Sequence, residues 1–124
     1  MNIKQYLDST YLKTAEQANI SEKENTVLVQ NFVQETIDEN FKLVMIRPDK
    51  VALAKKLIDS QNSKVLIGTV IGFPEGTNSV EDKLAEAKQA IKDGADELDF
   101  VVNFEAFKSG EIDLVKEEVF LATQ

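Results

Sequence analysis

Neither cysteine nor histidine occurs among the 124 residues, so the chain has no disulfide framework, no thiolate nucleophile and none of the usual ligand sets for zinc, copper or iron. No metal and no other cofactor is expected. Long apolar runs are also missing. The longest extends over only a few residues, against the roughly 20 needed to span a bilayer, and the N-terminus lacks the basic-then-apolar pattern of a secretory signal. The expected location is the cytoplasm, away from membranes. Positive charge is scarce too: 14 lysines and arginines face 22 aspartates and glutamates, for a net charge of -8. The basic residues are scattered among acidic ones, so a polyphosphate backbone would be repelled and no nucleic-acid partner is expected. Surplus negative charge also serves a plainer end, keeping a soluble protein dispersed. The 43% hydrophobic content suits one domain with its own core.

What is present is a repeating pattern of strand and helix. After a short opening stretch ending in Tyr6-Leu7-Asp8, Ser21 and Glu24 form a capping box that opens a helix running to about Asn40. Val29, Phe32, Val33, Thr36 and Ile37 recur along it at helical spacing and give one mostly apolar face. Leu43–Ile46 is a short apolar strand ended by Arg47-Pro48, and proline in a first turn opens the next helix, to about Asp59, with Val51, Ala54, Leu57 and Ile58 as its buried stripe. A third strand is expected from Lys64 to about Ile71, followed by the glycine- and proline-punctuated loop from Gly72 to Asn78. Asn78 or Ser79 then caps a helix lined by Val80, Leu84, Ala87 and Ile91 and ended at Gly94. Glu97 to Val102 reads as a fourth strand and Glu111 to Thr123 as a fourth helix.

Four consecutive βα units make this an α/β chain with a parallel sheet and helical crossovers, with no internal domain boundary. A small open doubly wound sheet and half of an eight-stranded barrel both fit that pattern. The last strand helps to separate them. Leu98, Phe100 and Val102 share one face, while Asp99, Val101 and Asn103 share the other. In a doubly wound sheet both faces lie under helices, where a mid-strand carboxylate is costly unless paired. In a barrel it faces the lumen, near the mouth where active sites sit. A buried hydrogen-bonded carboxylate or a solvent-facing edge residue would also account for Asp99.

Four segments together resemble deoxyribose-phosphate aldolase, from near its N-terminus to about its middle. They are Leu7-Asp8-Ser9-Thr10-Tyr11-Leu12-Lys13, Val44-Met45-Ile46-Arg47-Pro48, Thr69-Val70-Ile71-Gly72-Phe73-Pro74-Glu75-Gly76, and the run from Gly94 to Asn103. The last two, in this order and spacing, are the specific ones. The resemblance implies the N-terminal half of a (β/α)8 TIM barrel. It also implies a metal-free lyase that reversibly cleaves 2-deoxyribose 5-phosphate to glyceraldehyde 3-phosphate and acetaldehyde through a lysine imine, an electron sink that makes the aldol bond breakable. Asp99 then matches the fourth-strand aspartate that moves protons as the carbinolamine forms and dehydrates. Asp8 and Thr10 match a pair near the substrate hydroxyls and water network, while Met45, where a cysteine often stands in the family, and Phe73 are expected to wall the pocket. Read without the resemblance, these residues make a turn-forming Asp-Ser-Thr cluster and two core side chains.

The imine-forming lysine that the resemblance implies, its lysine neighbour and a glycine/serine phosphate site belong to a later part of such an enzyme, and no matching motif occurs here. The thirteen lysines fall on expected helices, near the chain start or in loops, apart from Lys64 at the beginning of a strand. Lys13 lies nearest the expected mouth, but the sequence places no second cation beside it. The helical pattern is still running at Gln124, so the chain is expected to be a truncated and inactive or severely impaired half. A half barrel would leave strand edges open, from which a homodimer or larger assembly is expected. A non-catalytic half-barrel module that pairs with itself or with a separate C-terminal half is the alternative. A receiver-like signalling domain is weaker, because Asp8 alone stands where an acidic cluster is needed.

Overall fold

Hydrogen bonding between each strand and the next builds a single parallel sheet in which spatial order repeats chain order, β1-β2-β3-β4. The structure, a computed structural model, describes residues 7–103 together with Ile3, Glu105, Lys108, Gly110 and Lys116. Strand β1 (Asp8–Tyr11) is followed by helices α1 (Ala15–Ala18) and α2 (Glu22–Asp38), and β2 (Leu43–Ile46) by a 3-10 turn (Pro48–Lys50) and α3 (Val51–Ser60). Strand β3 (Leu66–Ile71), α4 (Val80–Asp93) and β4 (Glu97–Phe100) complete the described elements. The fourth helix expected over residues 111–123 lies outside the described residues, apart from Lys116.

Local chemistry sets the element ends. Ser21 Oγ accepts the Glu24 backbone N–H at 3.1 Å while Glu24 returns a carboxylate oxygen to the Ser21 N–H at 3.3 Å, so two orphan amides at the start of α2 are satisfied reciprocally. Thr14 and Gln17 form the same box ahead of α1, a short helix that the apolar periodicity did not reveal because only four residues belong to it. Ser79, not Asn78, caps α4. At the other end of α4, Gly94 takes φ 115°, a left-handed turn open to a residue without a β-carbon. Strand β3 begins at Leu66 rather than Lys64. Asp96 then joins it to the fourth unit: its backbone N–H donates to the Ile67 carbonyl at 2.7 Å and its carboxylate accepts the Ile67 N–H at 2.9 Å.

Because alternate residues of a strand point to opposite faces, the sheet carries two separate apolar layers. On the outer face Val44, Ile46 and Ile67 pack with Val29 and Val33 of α2 and with Val51, Ala54 and Ile58 of α3. Of the stripes read from the sequence, Val29, Val33, Thr36, Val51, Ala54 and Ile58 are buried, and Phe32, Ile37 and Leu57 are half-buried against them. On the inner face a smaller cluster joins Leu43, Met45 and Val70, with Leu12 and Leu66 against it.

Helix α4 departs from its expected face. Ile91 is 59% exposed, and the fully buried residues are Lys83 and Ala90. Gly72 makes this possible. It presents no side chain where the Lys83 stem passes, and a β-carbon there would meet Lys83 Cε at 2.9 Å. The lysine lies along that gap with its ammonium 5.2 Å from the centre of the Phe100 ring, so an amphipathic side chain fills space that an aliphatic was expected to take.

Candidate active site

The strand registers place the inner-face residues in rows. Asp8 stands beside Leu43 and Thr10 beside Met45. Met45 stands beside Gly68, Gly68 beside Glu97, and Val70 beside Asp99. Asp8, Thr10, Met45 and Asp99, chosen from the sequence, therefore share the inner face. Thr10 and Met45 are register neighbours, whereas Asp99 stands across the sheet from Asp8 and Thr10. Three strand spacings of about 4.8 Å separate β1 from β4, roughly 14 Å in all, so the Asp8–Thr10 pair and Asp99 stand on opposite margins of this face.

The side chains differ in environment. Asp8, Thr10 and Asp99 are exposed, whereas Met45 is 7% exposed. Met45 lies over Gly68, where a β-carbon would fall 2.7 Å from the Met45 methyl and 2.9 Å from a Leu43 methyl. The bare backbone of Gly68 lets those two side chains lean across β3 and floor the surface. Phe73, 37% exposed, sits in the loop after β3. That loop is fixed from within: Gly76 N–H donates to the Gly72 carbonyl at 2.7 Å, and Gly72 N–H to the Glu86 carboxylate of α4 at 2.8 Å.

Sequence reasoning passed over Arg47, using it only to end β2. Its phase carried the signal, since it follows Leu43 and Met45 on the inner side at a spacing of two. Arg47 Nε donates to the Leu12 carbonyl at 2.6 Å, and its guanidinium lies 5.1 Å from the centre of the Phe73 ring. Continuing the β2–β3 register by one residue sets Arg47 beside Val70, in the row that contains Asp99. Glu97, exposed one row deeper, was also missed as an inner-face carboxylate. Nor does Lys13 stand alone: with Arg47 and Lys50 it lines a cleft of about 80 Å³ between the strand ends and α2. Lys50 is engaged there by Glu22 and, at 3.7 Å, by Asp49.

A larger hollow of about 500 Å³, lined by residues that include Phe41, Lys42, Asn62 and Lys64, opens at the N-terminal ends of β2 and β3. In a barrel that end serves stability rather than chemistry. The inner face and the C-terminal strand ends are the candidate site.

Consecutive parallel βα units with sheet order equal to chain order define the N-terminal half of a (β/α)8 barrel, with Asp8, Glu97 and Asp99 on its inner face. Residues 5–120 match the family described as DeoC/LacD family aldolase, and the chain belongs to that family. It is 38% identical over 119 residues to a deoxyribose-phosphate aldolase of Thermococcus gammatolerans, an alignment covering 96% of this chain and 49% of that protein. The fold is similar to that of an aldolase designated QR15, at TM-score 0.77 and 38% identity, covering 95% of this chain and 48% of the other. It is also similar to a deoxyribose phosphate aldolase from Aeropyrum pernix described as having a unique tetrameric structure, at TM-score 0.68 and 28% identity, covering 94% and 48%. The chain thus spans about half the length of the relatives it matches.

Proposed function

We propose that this chain supplies the acid/base half of a class I aldolase site that reversibly cleaves 2-deoxyribose 5-phosphate to glyceraldehyde 3-phosphate and acetaldehyde. The observation that carries the reading is Asp99, an exposed carboxylate on the inner face of β4, in a chain of the DeoC/LacD aldolase family. In this reading a lysine amine from the complementary half attacks the aldehyde carbon of the open sugar, giving a carbinolamine. Asp99 delivers the proton that lets hydroxide leave as water, and the protonated imine then takes up the electron pair of the breaking carbon–carbon bond. Asp8 and Thr10 hold substrate hydroxyls and water by hydrogen bonds, and Met45 and Phe73 wall the pocket.

The amine is the part this chain does not bring. Among the described residues no lysine lies on a strand, and a Schiff-base lysine must project into the lumen with its proton shed. The chain alone is therefore inactive or severely impaired in this reading. A second reading, a non-catalytic half-barrel module that pairs with itself or with a separate C-terminal half, is favoured by one observation: among the described residues the outer edges of β1 and β4 have no strand partner.

Intact mass after incubation with deoxyribose 5-phosphate and borohydride tests the first reading, beside a full-length relative as control. No adduct on the chain alone is expected, and a single-lysine adduct lost on denaturation would overturn the inactive-half assignment. Mixing the chain with the separately produced C-terminal half of a relative should then give aldehyde release that Asp99→Asn suppresses. Complex formation without any cleavage would favour the module reading instead.

A further inference from the structure

We infer that Arg47, together with Lys13, forms an oxyanion-binding site at the C-terminal strand ends, taking a single phosphate or carboxylate group of a small ligand. The inference goes beyond the aldolase reading and does not rest on it.

Arg47 is the only arginine in a chain of net charge -8. Its side chain is held by the bond from Nε to the Leu12 carbonyl and by the face of Phe73. Those contacts use one edge and one face of the guanidinium. Among the described residues neither terminal nitrogen makes a hydrogen bond or an ion pair. A planar fork fixed at its stem with its tips open is suited to bidentate recognition of an oxyanion, which a lysine in the same place could not reproduce.

The surrounding charge points the same way. The cleft carries three cationic residues, Lys13, Arg47 and Lys50, and two carboxylates, Glu22 and Asp49. Both carboxylates are directed to Lys50, which leaves the Arg47 and Lys13 charges without a carboxylate partner in a protein that otherwise repels anions. Size limits the ligand. About 80 Å³, against roughly 30 Å³ for one water, admits one oxyanion group and not a whole sugar.

A single arginine makes the test direct, because its Nε–H gives one cross-peak in a nitrogen-15 correlation spectrum of the whole chain. The chain is titrated at constant ionic strength with inorganic phosphate in one arm and acetate in the other. A saturable shift of that cross-peak is expected in at least one arm. Tighter binding of phosphate would assign a phosphate ester, and tighter binding of acetate a carboxylate. Lys13→Gln should weaken binding several-fold, and Arg47→Lys at least tenfold, followed through the Leu12 and Phe73 amides. No saturable shift in either arm, or equal affinity in R47K, would overturn the inference; neither result depends on imine formation or cleavage, so the aldolase reading stands or falls separately.

Discussion

Lys83 and Gly72 are fitted to one another: the lysine, 1% exposed, runs through the space that a side chain at position 72 would occupy. Gly72 also has φ 72°, a left-handed backbone that L side chains rarely adopt. Gly72→Ala should therefore cost about 1–3 kcal/mol, part from backbone and part from collision. Lys83→Ala would remove the collision and leave the backbone penalty. Urea unfolding of the two single variants and the double variant separates these parts, with a favourable coupling expected in the double. Strictly additive losses would show that the lysine moves aside freely.

The Gly72 N–H makes a second demand, met by the Glu86 carboxylate at 2.8 Å. Glu86→Gln keeps an acceptor but makes the bond neutral, for a loss of about 1 kcal/mol or less, whereas Glu86→Leu strands a part-buried donor and should cost about 1–3 kcal/mol. Chemical denaturation gives both values. Because this bond joins the loop carrying Phe73 to α4, E86L should also speed amide exchange from residue 72 to residue 76 more than in the outer core.

Asp99 and Ile46 should separate chemistry from stability. Ile46 is fully buried on the outer face, and Ile46→Ala is expected to cost about 2–5 kcal/mol. Asp99 is exposed, so Asp99→Asn should change the unfolding free energy of the chain by no more than about 0.5 kcal/mol. In a barrel completed with a C-terminal half, the same D99N change should lower cleavage about 10²–10⁴-fold if the carboxylate transfers protons. Retained cleavage would remove Asp99 from that role.

Asn25 is 3% exposed on α2 and accepts the Tyr11 hydroxyl at 2.9 Å. Tyr11→Phe leaves that amide oxygen without its donor while keeping the ring beside Phe32, 5.8 Å between centroids. The expected loss is about 1–2 kcal/mol in a thermal or urea melt. The joint between β1 and α2 would loosen first.

The parallel order and the outer core were legible because periodicity reports which face of an element is buried, and Val29, Val33, Val51, Ala54 and Ile58 followed it. Pattern could not reveal the path of Lys83, since nothing in its own helix says that a glycine eleven residues earlier has left room for it. The site was half legible. Alternation singled out Asp99 and the resemblance singled out Asp8, Thr10 and Met45, but their common face and the row joining Arg47 to Asp99 depend on the strand registers. Register is a relation between strands, and no single segment contains it. Arg47 hid for a second reason: the proline beside it explained the end of β2 so well that the guanidinium was left without a task.

The match between sheet order and chain order bears on how the molecule is made. Strand partners are separated by roughly 20 to 35 residues at every step, and loop-closure entropy varies only by a few tenths of a kcal/mol over that range. No strand waits for a distant one. As the chain leaves the ribosome, β2 can dock on β1, and β3 on β2, before β4 has been synthesised. Each strand thus docks on one made before it, with the newest strand always forming the growing edge.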